Sequence, residues 1–261
     1  GDMGGTMPDR HSASFSRRQF IAAAVGTAIT VTLDAQAAPL LGLSRKRKSG
    51  VPNAWIEVDP EVFHNNLRLV QAAVTGGAQI CAIMKADAYG IGIDMVMPGI
   101  IKARLPYVGI ASTEEARMVR ACGFRGRLMR VRAATLDEVE DALPCKVEEM
   151  VGNLAAAQAM GDIARKRGRT LRMHLALNSA GMSRNGLELS TEQGRRDAEA
   201  LTRIPRLQVV GVMTHFPTED RADILQGLYA FKRQAAWLFS NTVLRREDVI
   251  LHAANSFAVQ H

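Results

Sequence analysis

The segment that decides the fold is Ile80-Cys81-Ala82-Ile83-Met84-Lys85-Ala86-Asp87-Ala88-Tyr89-Gly90-Ile91-Gly92. Its first five residues are apolar and predict a short buried strand, which ends on a lysine. Parallel α/β folds place their reactive groups at the carboxyl ends of strands. Burial at such a site lowers the pKa of a lysine, and a lysine with a lowered pKa is suited to Schiff-base chemistry. Lys85 is therefore a candidate catalytic residue, and a lysine that only extends into solvent is the alternative.

The same pattern, an apolar β-type run followed by an amphipathic segment, continues along residues 55–261. Six further strands are predicted: Tyr107–Ala111, Arg127–Arg132, Glu149–Gly152, Leu171–Leu177, Val209–Thr214 and Val249–Ala253. Helices are predicted over Pro60–Thr75 and Thr113–Cys122, the second with Thr113 as its cap and two glutamates in its first turn. Because the units repeat every 20 to 40 residues or so and no glycine-rich dinucleotide motif is present, the sequence favours a (β/α)8 TIM-like barrel over a Rossmann sheet.

This predicted barrel is incomplete, because the sequence supplies seven barrel strands and no eighth. A further short strand, Ile56–Asp59, precedes the first helix and is expected to pair outside the barrel. The first and last barrel strands would then be unpaired edges, which favour aggregation. We expect residues 38–261 alone to be poorly soluble and inactive.

Composition excludes several classes of protein. With 261 residues, 47% hydrophobic and 23% charged, the chain is neither disordered, fibrous nor a multi-spanning membrane protein. Part of the net charge of +7 comes from Arg17-Arg18 and Arg45–Lys48, without the aromatic residues that accompany nucleic-acid binding. No spacing typical of a metal site is present, and one disulfide remains possible among Cys81, Cys122 and Cys145.

The first 54 residues are typical of an export signal followed by a linker. Arg17-Arg18 precede an apolar run, Phe20–Leu33, and Ala35-Gln36-Ala37 is typical of a cleavage site. The run is too short to span a bilayer comfortably. We therefore predict a signal peptide at residues 1–37 of twin-arginine type, with a Sec signal as the alternative, a linker at 38–54, and a periplasmic protein.

The Lys85–Gly92 segment resembles the pyridoxal-phosphate lysine motif of alanine racemases and their relatives. Three other strand ends resemble segments of the same family in the same order, namely His174–Gly186, Gly211–Phe216 and His252–Ser256. Together they cover essentially all of residues 55–261. The resemblance implies an alanine racemase-type barrel that would be followed by an eighth strand and a C-terminal β-domain.

The resemblance also implies roles for individual residues. Lys85 would hold pyridoxal 5'-phosphate as a Schiff base and act as a base on one face of the substrate. Arg184 would contact the phenolic oxygen of the cofactor and His215 would pack on its ring. Tyr89 would lie near the phosphate and Ser256 would help to hold it, and Asn255 is a further cofactor-binding residue.

Five positions distinguish this chain from ordinary alanine racemases. Ala176 stands where many have a carbamylated lysine, and Asn178 where an aspartate is usual. Together with Asn185, Arg130 and Arg132, these residues resemble those of the broad-specificity amino-acid racemases exported to the periplasm. Because Ala176 brings no negative charge, we expect a bound chloride or similar anion near Arg184 and Arg132.

The resemblance therefore implies an isomerase that interconverts L- and D-amino acids as a homodimer, with a partner subunit that supplies a catalytic tyrosine. The alternatives are a dedicated alanine racemase, a single-barrel pyridoxal-phosphate carrier involved in vitamin homeostasis, and a fold-related amino-acid decarboxylase. A role as a pyridoxal-phosphate carrier would not explain the export signal.

Overall fold

A parallel sheet of seven strands is the centre of the protein. The computed structural model describes residues 29–30, 57–74, 76–181 and 186–253. The strands are β1 (Ile29–Thr30), β2 (Glu57–Val58), β3 (Cys81–Ile83), β4 (Tyr107–Ile110), β5 (Arg127–Ala133), β6 (Val147–Val151), β7 (Leu171–Ala176), β8 (Leu207–Met213) and β9 (Ile250–His252). Strands β3 to β9 pair in sequence order, each parallel to the next. All seven predicted barrel strands are confirmed, with ends that agree within two residues.

The seven strands form a TIM-like barrel that is open between β3 and β9. Each of these two edge strands has one strand neighbour within the ranges the structure describes. The predicted incomplete barrel is thereby confirmed. The strand predicted at Ile56–Asp59 is present as β2, which pairs antiparallel with β1 outside the barrel. The remainder of the predicted export signal and linker lies outside the described residues.

Helices alternate with the strands and cover the outer face of the sheet. They are α1 (Pro60–Ala73), α2 (Ile93–Lys102), α3 (Thr113–Ala121), α4 (Leu136–Asp141), α5 (Leu154–Lys166), α6 (Glu192–Leu201) and α7 (Arg221–Asn241), with 3-10 turns at Leu143–Cys145 and Arg246–Asp248. No helix among the described residues is long and apolar enough to cross a membrane.

The cap of α3 differs from the sequence prediction. Ser112, not Thr113, is the N-cap, and Ser112 and Glu115 exchange hydrogen bonds as a capping box. The glutamates do lie in the first turn, as predicted. Thr113 is instead buried, and its hydroxyl donates to the carbonyl of Glu138 at 3.4 Å.

Alternation along the strands separates an apolar outer face from a polar interior. Val108 and Ile110 on β4, like Met173 and Leu175 on β7, pack against the helices in two hydrophobic clusters. The intervening positions face the barrel interior and include many polar side chains. The side chains that carry charge or hydrogen-bonding groups there are Cys81, Tyr107, Arg127, Glu148, Arg172, His174 and His252.

Candidate functional site

Lys85 begins a left-handed turn at the carboxyl end of β3. The four residues that follow it, Ala86 to Tyr89, have φ between 54° and 59°, and Gly90 has a φ of 82°. This conformation costs an L-residue roughly 1–2 kcal/mol, so the surrounding structure must hold it in place. Strained backbone of this kind is concentrated at functional sites.

The turn brings Lys85 and Tyr89 together on the solvent side. Nζ of Lys85 lies 5.4 Å from the centre of the Tyr89 ring, and both residues are exposed. On the other side, Ala88 is fully buried and donates its backbone N–H to the carbonyl of Met84 at 2.9 Å. The amine and the phenol are therefore presented side by side at the mouth of the barrel.

Ala176 ends β7 and also forms the base of the loop that carries Arg184 and Asn185. The Ala176 carbonyl accepts from the backbone N–H of Leu187 at 2.9 Å, and the N–H of Asn178 donates to the Leu187 carbonyl at 3.0 Å. The Asn178 side chain donates to Glu188 at 2.9 Å. Arg184 and Asn185 themselves lie outside the described residues.

Helix α7 anchors the start of this loop. The Ser179 hydroxyl donates to Oε1 of Gln234 at 2.6 Å. A Cβ placed on Gly227 would lie 3.0 Å from that of Ala180, so the helix and the loop approach closely only because Gly227 has no side chain.

Two further strand ends were expected to contribute to the site. His215 is exposed directly after β8, behind the buried Thr214, whose hydroxyl donates to the Leu177 carbonyl at 2.9 Å. The chain leaves β9 at His252. Asn255 and Ser256 follow within four residues but lie outside the described part of the chain.

Arg130 and Arg132 already have carboxylate partners. Arg130 is 1% exposed, faces the helices, and donates to both Glu149 oxygens at 2.7 and 3.2 Å. Burial raises the pKa of the Glu149 carboxyl, although Arg130 opposes this. Arg132 donates to both oxygens of Glu138, and this hydrogen bond, with one from the Thr135 N–H, lowers the pKa of Glu138 to about 2. The structure does not bring Arg130 into the interior beside Lys85.

A network of charged residues inside the barrel was not found by sequence reasoning. Glu148 is 2% exposed and accepts from Arg127, Arg172 and His174. Burial alone would raise the pKa of Glu148, but the hydrogen bonds from His174 and Arg127 outweigh it and lower the pKa. His174 is in turn 2.9 Å from His252. The sequence signal was available, because two adjacent glutamates in an otherwise apolar strand must both be paired.

A cavity of about 370 Å³ opens at the ends of β5 and β6, next to the base of the loop. Its lining presents polar and apolar groups in similar amounts and includes Ala133, Met150, Met160 and Asn178.

The family model described as "Alanine racemase, N-terminal domain" matches residues 58–261. The chain belongs to the alanine racemase family. Within this family, a broad-specificity amino-acid racemase from Pseudomonas taetrolens is 54% identical over 206 residues, which are 79% of this chain and 50% of that protein. A lysine racemase from Proteus mirabilis is 37% identical, over 84% of this chain and 54% of its own length.

Solved structures of alanine racemases share the fold. The enzyme of Clostridium difficile 630 superposes with a TM-score of 0.69 at 25% identity, over 75% of this chain and 53% of its own. That of Streptomyces lavendulae gives 0.65 at 28% identity, over 75% and 51%. This racemase-family chain thus spans about half the length of the relatives it matches.

Proposed function

We propose that this chain is the lysine-bearing barrel of a pyridoxal-phosphate-dependent amino-acid racemase. The observation that carries the proposal is the left-handed turn that presents Lys85 beside Tyr89 at the end of β3. The strained turn holds the amine at the mouth of the barrel, where it could form a Schiff base with the aldehyde of a cofactor. Membership of the alanine racemase family supports the same function.

The residues present fit this cofactor. Lys85 supplies the amine for the aldehyde, and Tyr89, Asn255 and Ser256 would hold the phosphate. Arg184 would donate to the phenolic oxygen and His215 would support the ring. When bound, the cofactor withdraws electrons from the α-carbon of the substrate and so acidifies its proton.

Lys85 would move that proton on one face of the substrate. Its amine, near the mouth of the barrel, would accept the proton from one enantiomer as a general base and, when the reaction runs in the other direction, donate a proton to that same face as a general acid. Racemisation needs a second group on the opposite face. We propose that a tyrosine from the partner subunit of a homodimer fills this role.

We further propose a broad substrate range. Identity to broad-specificity racemases reaches 54%, whereas an alanine racemase from Clostridium perfringens is 27% identical. The cavity beside Asn178, at the ends of β5 and β6, offers room for side chains larger than a methyl group. A dedicated alanine racemase remains the alternative, and the pyridoxal-phosphate carrier and the decarboxylase are outcomes that the test below separates.

Two further proposals concern the location of the protein and a bound anion. The twin arginines and the apolar run after them favour export to the periplasm. The absence of a negative charge at Ala176 favours a bound chloride near Arg184.

The proposal is tested on the full-length protein. Borohydride reduction in the presence of pyridoxal phosphate should attach the cofactor to Lys85, located by peptide mapping. Chiral chromatography should show that alanine and lysine each racemise without loss of carbon dioxide. Lys85→Ala should abolish both results, and Lys146→Ala, which changes another lysine, should leave them unchanged. Label on a different lysine, or carbon dioxide release without racemisation, would overturn the proposal.

A further inference from the structure

Asp87 holds the Lys85 turn from both its side chain and its backbone. Oδ1 of Asp87 accepts from the backbone N–H of Ile93, the first residue of α2, at 2.9 Å. The Asp87 carbonyl accepts from the backbone N–H of Gly92, also at 2.9 Å. One residue in the middle of the turn is therefore tied twice to the start of the next helix.

The start of α2 is itself fixed in the core. Ile93 is fully buried, as are Val96 and Met97 one turn further on. The N–H of Ile93 belongs to the first turn of a helix and has no acceptor within that helix. The Asp87 carboxylate satisfies it, so the turn is held by a rigid element rather than by solvent.

The hand of the turn decides where Tyr89 lies. Ala86, Ala88 and Tyr89 have Cβ atoms that disfavour the left-handed conformation, and only Asp87 has a side chain that tolerates it well. In a right-handed turn, the residue four positions further along is rotated by about 40° around the turn axis, and in a left-handed turn this rotation has the opposite direction. Relaxation of the turn would therefore rotate Tyr89 about the turn axis and change its position relative to Lys85.

We propose that Asp87 is a positioning residue that fixes the left-handed turn and so sets Tyr89 relative to Lys85. The consequence for cofactor binding rests on the function proposed above. The consequence for the turn itself does not, because the hydrogen bond from Ile93 is within this chain.

The first experiment measures hydrogen exchange at the Ile93 amide in cofactor-free full-length protein. Asp87→Ala removes the acceptor and should accelerate exchange about tenfold, in line with the usual effect of losing a helix cap. Asp87→Asn keeps an oxygen acceptor and should restore slow exchange. Asp94→Ala, which removes an exposed carboxylate from the same first turn, is the matched control and should change nothing.

The second experiment measures binding of pyridoxal phosphate and the visible absorption band of the bound cofactor against pH. Asp87→Ala should weaken binding about tenfold and shift the pH titration of the band, because Tyr89 is displaced from its position relative to Lys85. Asp87→Asn should restore both. If Asp87→Ala does not fold, Asp87→Gly takes its place, since glycine adopts positive φ without strain.

The outcomes separate the two proposals. The proposed role of Asp87 would be overturned if the Ile93 amide exchanged at the same rate in Asp87→Ala as in the wild type. It would also be overturned if Asp87→Asn were as impaired as Asp87→Ala. Faster exchange with unchanged cofactor binding and an unchanged band would equally overturn the link from Asp87 to Tyr89. A wild-type protein that binds no pyridoxal phosphate would overturn the proposed function, while the exchange experiment would still decide whether Asp87 holds the turn.

Discussion

Oε2 of Glu148 and Nε2 of His174 lie 2.8 Å apart inside the open barrel, on the neighbouring strands β6 and β7. Both side chains are almost completely buried, with exposed fractions of 3% and 1%. Arg127 donates to both Glu148 oxygens, at 2.7 and 3.0 Å, and His174 continues the network to His252. The interior of a TIM barrel is usually filled by apolar side chains, so here its stability depends on balanced charges.

Glu148→Gln should destabilise the protein strongly. The substitution keeps the shape of the side chain but removes the charge that Arg127 and Arg172 face. Glu148 is buried but both arginines are partly exposed to water, so the loss should be that of its charge-assisted hydrogen bonds, about 2–3 kcal/mol. Chemical denaturation measures the loss. Glu140→Gln breaks a more exposed pair with Arg167 and should cost less than about 1 kcal/mol. Equal effects of the two variants would contradict the prediction.

Stability should fall between pH 7 and pH 5 because of His252. Burial, followed by the charge of His174, lowers the pKa of His252 to about 3. An unfolded histidine has a pKa of about 6.5, so between these values the unfolded chain binds the additional proton and acid favours unfolding. Linkage then gives a loss of about 2 kcal/mol from pH 7 to pH 5.

The pKa of Glu148 is lowered, so its contribution to stability is lost only at more acid pH, as the carboxyl of the folded protein becomes protonated. Glu149, whose pKa is raised by burial, acts in the opposite direction, so comparison with a His252 variant is needed to isolate the imidazole. The free energy of unfolding, measured by chemical denaturation at each pH, should depend clearly less on pH in His252→Asn than in the wild type between pH 7 and pH 5. The same pH dependence of the free energy of unfolding in both proteins would show that another group is responsible.

Gly211→Ala should be severely destabilising because of His174. A Cβ on Gly211 would lie 2.0 Å from Nδ1 of His174, well inside contact distance. His174 cannot move away without breaking its bond to Glu148. We expect a loss of about 3 kcal/mol or more. The loss should be smaller when Gly211→Ala is combined with His174→Ala, and a double-mutant cycle measures the difference. Simple additivity would show that the clash is relieved elsewhere.

Chloride should raise the melting temperature if an anion replaces the charge that is missing at Ala176. The structure gives Arg132 a carboxylate partner, Glu138, so Arg132 has less need of an anion than the sequence predicted. Thermal unfolding is compared in chloride and in gluconate at equal ionic strength. We expect unfolding some degrees higher in chloride. Ala176→Glu, which supplies its own negative charge, should abolish the difference, whereas equal melting temperatures of the wild type in both salts would exclude the anion.

Much of the fold could be predicted from residues 55–261 alone. The seven barrel strands follow from apolar runs separated by amphipathic segments, and the confirmed family follows from the motif at Lys85. The position of Arg130 could not be predicted. The β5–β6 pairing shifts register between Met129 and Ala133, and Arg130 faces Glu149 in the helix layer.

The sequence by itself determined the order of the strands and the lysine at the end of the first barrel strand, because hydrophobic periodicity and local motifs are short-range properties of the chain. Only the tertiary structure decided the hand of the turn after Lys85 and the pairing of Glu148 with Arg127 and His174. Both depend on groups that are distant in the sequence or buried by other elements. The energy that holds Ala86, Ala88 and Tyr89 at positive φ comes from the hydrogen bond between Asp87 and the next helix and from the core that surrounds them, not from preferences of those three residues.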